Sequence, residues 1–210
     1  MTGRGVLSLL ATVVRFEATI WRNLWRWARR LPPRTGPGEV GFGYDQAVAP
    51  LLRIFIIVSA VEIPIFHLIV PWPTVRLLVD LAGVYGLIWM FGLLATMRQE
   101  PHAVGPSGVR VRFGILGRIV LSWDSIADVG VRDRTLPPGS PQVEQDGELR
   151  AVHIPVAQQT NLDITLGAPM TLPLRRARGR PVNQLRIFAD DPDGFVAAVR
   201  AGQPADEPTA

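Results

Sequence analysis

The sequence contains neither cysteine nor lysine, so its 22 basic side chains are all arginines. Without cysteine the chain has no disulfide framework, no thiolate nucleophile and no cysteine-ligated zinc or iron–sulfur site. Histidine is scarce as well, and His67, His102 and His153 are scattered along the chain. We therefore expect no metal centre.

Catalytic and cofactor-binding motifs are also missing. The sequence has no glycine-rich phosphate loop and no nucleophile elbow. The acidic residues Asp190, Asp191 and Asp193 are explained by capping of a following helix, and His153 falls in a predicted strand. We expect no catalytic residue and no cofactor, and we interpret the protein as non-enzymatic.

Apolar residues are abundant: they make up 48% of the chain and give it a mean hydropathy of +0.21. They concentrate in residues 51–71 and 75–97, and each segment is long enough to cross roughly 30 Å of hydrocarbon as an α-helix. A chain of 210 residues cannot bury two such helices in a soluble core. We predict a transmembrane helical hairpin over residues 51–97.

The link between the two apolar segments is short and breaks the helix. Pro71 and Pro73 interrupt the helices, and Trp72 suits the interfacial depth of a membrane. Arginines near helix ends are typical of the cytoplasmic side. The hairpin tip has only Arg76, whereas the opposite ends have Arg29, Arg30, Arg34, Arg53, Arg98, Arg110 and Arg112. We expect a multi-pass protein with both termini in the cytoplasm.

The N-terminal segment, residues 1–31, has a helical apolar stripe. Its apolar residues recur at spacings of three and four: Val6, Leu9, Leu10, Val13, Phe16, Ile20, Leu24, Trp27 and Leu31. Arginines gather on the other side of this predicted helix, and tryptophans flank the stripe. This pattern is typical of a helix that lies in the membrane interface. The candidate contacts to anionic lipid are Arg22, Arg26, Arg29 and Arg30.

Other interpretations of this segment are weaker. A signal peptide needs a small-residue cleavage site, but Arg15, Phe16 and Glu17 follow the apolar run. A spanning helix needs a longer apolar run than residues 6–14 provide. A helix that packs on a protein partner is the main alternative. Residues 32–50 read as a flexible linker.

Polar residues interrupt the apolar segments of the hairpin. A charge at mid-bilayer costs roughly 2.5–3.5 kcal/mol, so such residues usually have partners. Counted from Pro73, His67 and Asp80 lie 6 and 7 residues away and match in depth. Glu62 and Tyr85, at 11 and 12 residues, are a second match. Residues five apart on a helix point about 140° apart, so both pairs cannot face inward together without help.

These polar residues have two possible roles. The first is helix–helix packing, with one satisfied pair and the small residues Ala82, Gly83 and Gly86 allowing close approach. The second is a proton relay or an ion site, which would need an oligomer or a larger partner because a two-helix hairpin has no pore. We favour the packing role.

From Val104 the sequence changes to short alternating apolar runs bounded by glycine and proline. Residues 98–107 read as a linker, and about seven short strands are predicted within residues 108–201. Asp191 is a natural N-cap with Pro192 at the first helical position, so a C-terminal helix is predicted. Residues 202–210 read as a disordered tail. The predicted fold is an amphipathic helix, a membrane α-helical hairpin and a small β-rich domain.

The order of seven strands and one C-terminal helix resembles a pleckstrin-homology (PH) domain, and the chain resembles bacterial PH-like membrane proteins with a preceding transmembrane hairpin. The resemblance covers roughly residues 51–200 and is carried by residues 101–114, 121–126 and 186–192. It implies a PH-like fold and a bacterial plasma membrane. It implies no catalytic residue.

The densest run of charge lies in the predicted β domain, at Arg175, Arg176, Arg178 and Arg180. It is either a solvated loop or a contact to anionic lipid headgroups, at about 1 kcal/mol per arginine near the surface. Nucleic acid fits poorly, because no aromatic residues interleave with the run.

The expected role is a membrane-anchored interaction, scaffold or regulatory module. Its expected partners are membrane lipids, together with a membrane protein or further copies of the chain. The alternative is an accessory subunit of a larger transporter or cell-envelope complex, in which the intramembrane polar residues meet a partner.

Overall fold

The computed structural model describes residues 3–113, 115, 117–138, 143–173 and 179–203 of the 210-residue chain. The chain divides into two compact units. The helical unit comprises the segment up to Pro32 together with Val48–Gln99, and the β unit comprises Pro33–Ala47 together with the chain from Glu100 onward.

The helical unit contains α1 (Gly3–Ala28), α2 (Ala49–Ile69) and α3 (Pro73–Gln99). Both α2 and α3 are long and apolar enough to cross a membrane, as the sequence predicts. Only 6% of the most apolar stretch of α2 and 11% of that of α3 are buried within the chain, whereas the core helix of a soluble protein is mostly buried. The two helices therefore indicate membrane association.

Helix α1 packs along α3 and runs in the same direction, since Glu17 contacts Tyr85 and Arg26 contacts Gln99 farther along both helices. Ile20 is buried in this contact against Gly92, where a Cβ atom would collide with the Ile20 side chain. Part of the apolar stripe of residues 1–31 therefore packs within the chain, whereas Leu9, Leu10, Val13 and Leu31 of the stripe are exposed. The position of this helix in the membrane interface stays a prediction.

The β unit contains two sheets and one helix. The first sheet has the order β1-β2-β3-β4 and is antiparallel throughout. The second has the order β5-β8-β9-β7-β6, with β7 and β9 parallel and the other neighbours antiparallel. The bounds are β1 Val40–Phe42, β2 His102–Gly105, β3 Gly108–Phe113, β4 Gly117–Leu121, β5 Ile126–Thr135, β6 Val143–Asp146, β7 Leu149–Ile154, β8 Gln159–Met170, β9 Val182–Ile187 and α4 Pro192–Gly202.

The strand count and the domain boundaries differ from the sequence-based expectation. The described residues contain nine strands instead of about seven. Strand β1 lies in the predicted linker 32–50, and β2 lies in the predicted linker 98–107. The β domain is therefore not confined to residues 108–201, because β1 pairs with β2 across the two segments that flank the helical hairpin. Of the predicted tail, residues 204–210 lie outside the described residues.

Helix α4 closes the core of the β unit. Its Phe195 and Val199 are buried against the sheets, as the sequence predicts. Asp191 caps the helix, since its carboxylate accepts a hydrogen bond from the Gly194 N–H at 2.9 Å. One glycine is required by the turn between β2 and β3: Gly108 has φ +126°, and a Cβ atom there would collide with the Leu121 carbonyl.

Candidate functional site

The polar residues of the hairpin are the first candidates, and one expected pair is present. His67 Nδ1 lies 2.7 Å from Asp80 Oδ2 and joins α2 to α3 near the hairpin tip. The pair borders a cavity of about 410 Å³ that Ile63, Pro64 and Leu68 also line. Because it joins polar side chains of α2 and α3, this contact is suited to holding the two helices together, although Asp80 Oδ1 is buried without a hydrogen-bond partner among the described residues.

The expected pair between Glu62 and Tyr85 is wrong. The Tyr85 hydroxyl donates to Glu17 Oε2 of α1 at 3.1 Å, and Glu62 is on a different helix, α2. The physical reason is that depth matching gives the height of a residue along its helix but not the face on which it lies. Tyr85 lies on the face of α3 that meets α1. The geometric conflict between the two predicted pairs is resolved in favour of His67 and Asp80.

Sequence reasoning missed Glu17, which accepts three hydrogen bonds from aromatic side chains. Besides Tyr85, the indole N–H of Trp89 donates to its Oε1 at 3.1 Å, and that of Trp21 donates to its Oε2 at 3.2 Å. Phe16 packs on Trp89, with ring centroids 5.9 Å apart. An acidic residue interrupting a basic helix was the available signal. Glu17 joins α1 to α3.

Replacing Glu17 with alanine is expected to release α1 from α3, because Tyr85 and Trp89 of α3 lose a charged acceptor on α1. Hydrogen bonds to charged groups are worth about 1.5–3 kcal/mol each. We expect trypsin to cut after Arg22 of the full-length chain in mild detergent at least tenfold faster than in the parent protein.

Glu17→Gln is the matched control for that experiment. It keeps one side-chain oxygen acceptor, so cleavage should accelerate less than in Glu17→Ala. Equal cleavage rates for Glu17→Ala and the parent would contradict the anchoring role of Glu17.

Glu62 lines a groove between α2 and α3. The groove has a volume of about 340 Å³, and its α3 side is formed by small residues that include Ala82, Gly83 and Gly86. A Cβ atom at Gly86 would meet nothing within 4 Å, so this side is open. Within the described part of the chain, the exposed Glu62 carboxylate has no hydrogen-bond or ion-pair partner. The groove is thus an apolar surface with one unsatisfied charge.

The arginines proposed for lipid contact have mixed surroundings. Arg26 donates to the Gln99 side chain at 3.4 Å and to the Pro32 carbonyl at 2.9 Å, so it ties the end of α1 to the end of α3. Arg29 lies over the Trp25 ring at 4.0 Å. Arg22 also has a contact within the chain, and Arg30 is exposed. In the β unit Arg180 is exposed, and Arg175, Arg176 and Arg178 lie outside the described residues.

A second polar cluster crosses the five-stranded sheet. Glu144 accepts from Arg186 at 2.6 Å and lies 3.0 Å from His153 Nε2, while Arg134 binds Asp163 through both guanidinium nitrogens at 2.5 and 2.7 Å. The hydrogen bond from His153, helped by Arg186, holds the pKa of Glu144 below its usual range. Burial lowers the pKa of His153. These side chains contact one another across five strands, which suits a structural network, and His153 Nδ1 is the atom of the cluster that is buried without a hydrogen-bond partner among the described residues.

His102 and Tyr44 form a third cluster, in the core of the β unit. The His102 Nε2–H donates to the Phe188 carbonyl at 3.0 Å, and its Nδ1 accepts from the Arg112 backbone N–H at 3.0 Å. Burial lowers the pKa of His102 to about 4 and raises that of Tyr44, whose ring packs on it, to about 12. Both nitrogens of the neutral imidazole are used by the fold.

The described residues contain no set of three acidic or histidine side chains placed to hold a metal ion. The apolar faces of α2 and α3 are exposed, and so is Glu62 in its groove. No family model, no curated protein and no solved structure matches this chain.

Proposed function

We propose that this protein is a non-enzymatic, membrane-anchored interaction module, whose helical unit inserts in a bacterial plasma membrane and whose β unit is a PH-like domain on the cytoplasmic side. The observation that carries the proposal is the apolar surface of α2 and α3. Their large exposed apolar side chains are Leu51, Ile54, Phe55, Ile57, Val58, Val61, Ile65, Phe66, Leu68, Ile69, Val75, Leu77, Leu78, Leu81 and Val84. A contiguous patch of this kind is expected to face lipid or protein.

The pairing of β1 with β2 supports a hairpin that returns to the side it left. Strand β1 precedes α2, and β2 follows α3, yet the two strands are hydrogen-bonded neighbours. A chain that crosses a membrane between them must therefore cross an even number of times. The arginines at the ends of α2 and α3 that adjoin these strands favour the cytoplasmic side of the membrane for those ends. We therefore expect the C-terminus on the cytoplasmic side as well.

The direction of α1 changes the expectation for the N-terminus. Because α1 runs parallel to α3, its N-terminal end points toward the same side as the hairpin tip. Its apolar first half, with Leu7, Leu10 and Val14 exposed, can then contact hydrocarbon. We place the β unit in the cytoplasm and the beginning of α1 toward the opposite face.

The PH-like interpretation is supported by the β3–β4 hairpin, by the two sheets and by the C-terminal helix that closes the core. The parallel pair of β7 and β9 departs from the simple meander that the sequence suggests. The exposed Arg30 and Arg180 are available to anionic headgroups. The proposed ligands are therefore anionic membrane lipids.

Alkaline carbonate extraction followed by affinity purification in mild detergent tests the proposal. The protein should stay in the membrane pellet after carbonate treatment and should purify without a stoichiometric multispan partner. Release into the carbonate supernatant would contradict membrane insertion.

The second candidate function is an accessory subunit of a transporter or cell-envelope complex, and it is favoured by the unsatisfied carboxylate of Glu62 in the groove. In this case a multispan protein should co-purify in a fixed ratio. Its loss in a Glu62→Gln variant that still inserts would assign the groove to that partner.

A further inference from the structure

Ionisable side chains lie well inside the helices of the helical unit, and most of them have partners within the chain. Glu17 accepts from three aromatic donors, and His67 pairs with Asp80. Arg15 and Glu62 are different. Both are exposed, and neither side chain has a partner among the residues that the structure describes. Among the described residues near the middle of these helices, Arg15 and Glu62 are thus an unpaired positive and an unpaired negative charge, whereas Arg53 and Arg76 lie near helix ends.

The two charges lie at nearly the same height along α3. For Arg15, two contacts fix the register of α1 against α3. Ile20 packs on Gly92, and Tyr85 bonds to Glu17, so Arg15 is level with the middle of α3. The two contacts place Arg15 level with residues 83–87 of α3.

For Glu62, two contacts fix the register of α2 against α3. His67 bonds to Asp80, and Ile63 packs on Gly83. Glu62 is thereby level with residues 84–85. The heights of Arg15 and Glu62 thus differ by no more than about three residues, which is roughly 4.5 Å along a helix axis.

We propose that two copies of this chain associate side by side in the membrane, with Arg15 of each copy paired with Glu62 of the other. The inference rests on the membrane insertion given under the proposed function. In a parallel pair related by a two-fold axis along the membrane normal, residues of equal depth meet, and one contact implies its symmetric equivalent. Charged side chains inside a membrane usually pair with one another, because an unpaired charge in hydrocarbon is costly.

The groove at Glu62 has the shape for a second helix. Its open side at Gly86 allows a neighbouring backbone to approach closely. The matching surface of α1 is also small, because Ala11 and Ala18 flank Arg15 one turn away on either side and both are exposed. An α1 helix seated in this groove brings the Arg15 guanidinium toward the Glu62 carboxylate.

Charge balance favours a second copy over other occupants. A lipid acyl chain in the groove leaves Glu62 unpaired, and an unrelated helix that pairs with Glu62 leaves Arg15 unpaired. A second copy satisfies both charges at once, twice per dimer.

Cysteine crosslinking tests this arrangement on the full-length chain, which has no native cysteine to remove. Ala18 and Ser59 lie one turn from Arg15 and Glu62, both toward the end of the unit at which α3 terminates. We expect Ala18→Cys and Ser59→Cys chains, carrying different tags and co-expressed, to form a disulfide-linked pair when membranes are mildly oxidised. The yield should be at least fivefold above that of the control.

The control replaces Ala18→Cys with Ala11→Cys. Ala11 lies on the same face of α1, seven residues earlier and about 10 Å farther toward the hairpin tip. Crosslinking of Ala11→Cys with Ser59→Cys at the same yield as the Ala18 pair would overturn the proposed register.

The charge dependence is tested in the same assay. Glu62→Gln and Arg15→Gln should each lower the yield severalfold, and the exchange of Arg15→Glu with Glu62→Arg in one chain should restore it. Crosslinking that is indifferent to these changes would overturn the ion pair.

Carbonate extraction of the same membranes distinguishes a failure of the proposed membrane insertion from a failure of the proposed dimer. A chain that is extracted contradicts the proposed function and the dimer together. A chain that resists extraction but gives no Ala18–Ser59 crosslink, or whose Ser59 crosslinks to a different protein instead, contradicts the dimer alone.

Discussion

Phe195→Ala is expected to lower the free energy of unfolding of the β unit by about 3–5 kcal/mol. Phe195 is the largest fully buried side chain of the chain's described part, and it packs edge-to-face on Phe42 with ring centroids 5.2 Å apart. It is also the residue by which α4 enters the core. The truncation leaves a cavity where β1 and α4 meet, so both should become more accessible to solvent.

Chemical denaturation of the full-length chain in mild detergent measures this loss. Phe195→Leu fills most of the space and should cost less than the alanine variant. Val120→Ala is the surface control, because Val120 is 62% exposed, and it should change stability by no more than about 0.5 kcal/mol. Equal denaturation midpoints for Phe195→Ala and Val120→Ala would refute the anchoring role of Phe195.

The second large effect is a loss of stability in acid that originates at His102. Burial lowers the pKa of His102 from 6.5 to about 4 in the folded protein. Between these two pH values the unfolded chain binds a proton that the folded chain does not, so stability falls as the pH falls. The contribution is complete above pH 6.5 and is lost by about pH 4, and it amounts to about 3 kcal/mol.

His102→Gln isolates this contribution. A glutamine can donate to the Phe188 carbonyl and accept from the Arg112 N–H, but it does not titrate. Denaturation midpoints of the parent and the variant, measured from pH 7 to pH 4, should therefore diverge. His153 and Glu144 also destabilise the fold in acid, but they are common to both proteins and cancel in the difference. Parallel pH profiles would show that His102 does not control the acid response.

The helices were predictable from sequence because their signals are local. Long, predominantly apolar runs gave α2 and α3 to within about two residues at each end. The neighbouring residues Asp191 and Pro192 gave the start of α4. Each of these signals depends on a few consecutive residues, so no knowledge of the partner element is needed.

The tertiary partners could not be predicted in the same way. The apolar stripe of α1 shows which face is buried, but α3 and a membrane surface would both cover it. Strand β1 has three residues, too few for an alternating pattern, and it exists because β2 pairs with it. Depth matching gave His67 with Asp80 but also the wrong partner for Tyr85, because height along a helix does not specify which face a residue occupies.

The place of β9 in its sheet sets an order of events during synthesis. Strand β9 lies between β8 and β7, although it is the last strand of the chain to be made. Until residues 182–187 leave the ribosome, β7 and β8 each present an unpaired edge, which is open to pairing with other chains. By then α2 and α3 have long been available for insertion, so the membrane anchor forms first and the second sheet is completed afterwards. A chain that ends before Val182 is therefore expected to aggregate at the membrane through these open edges.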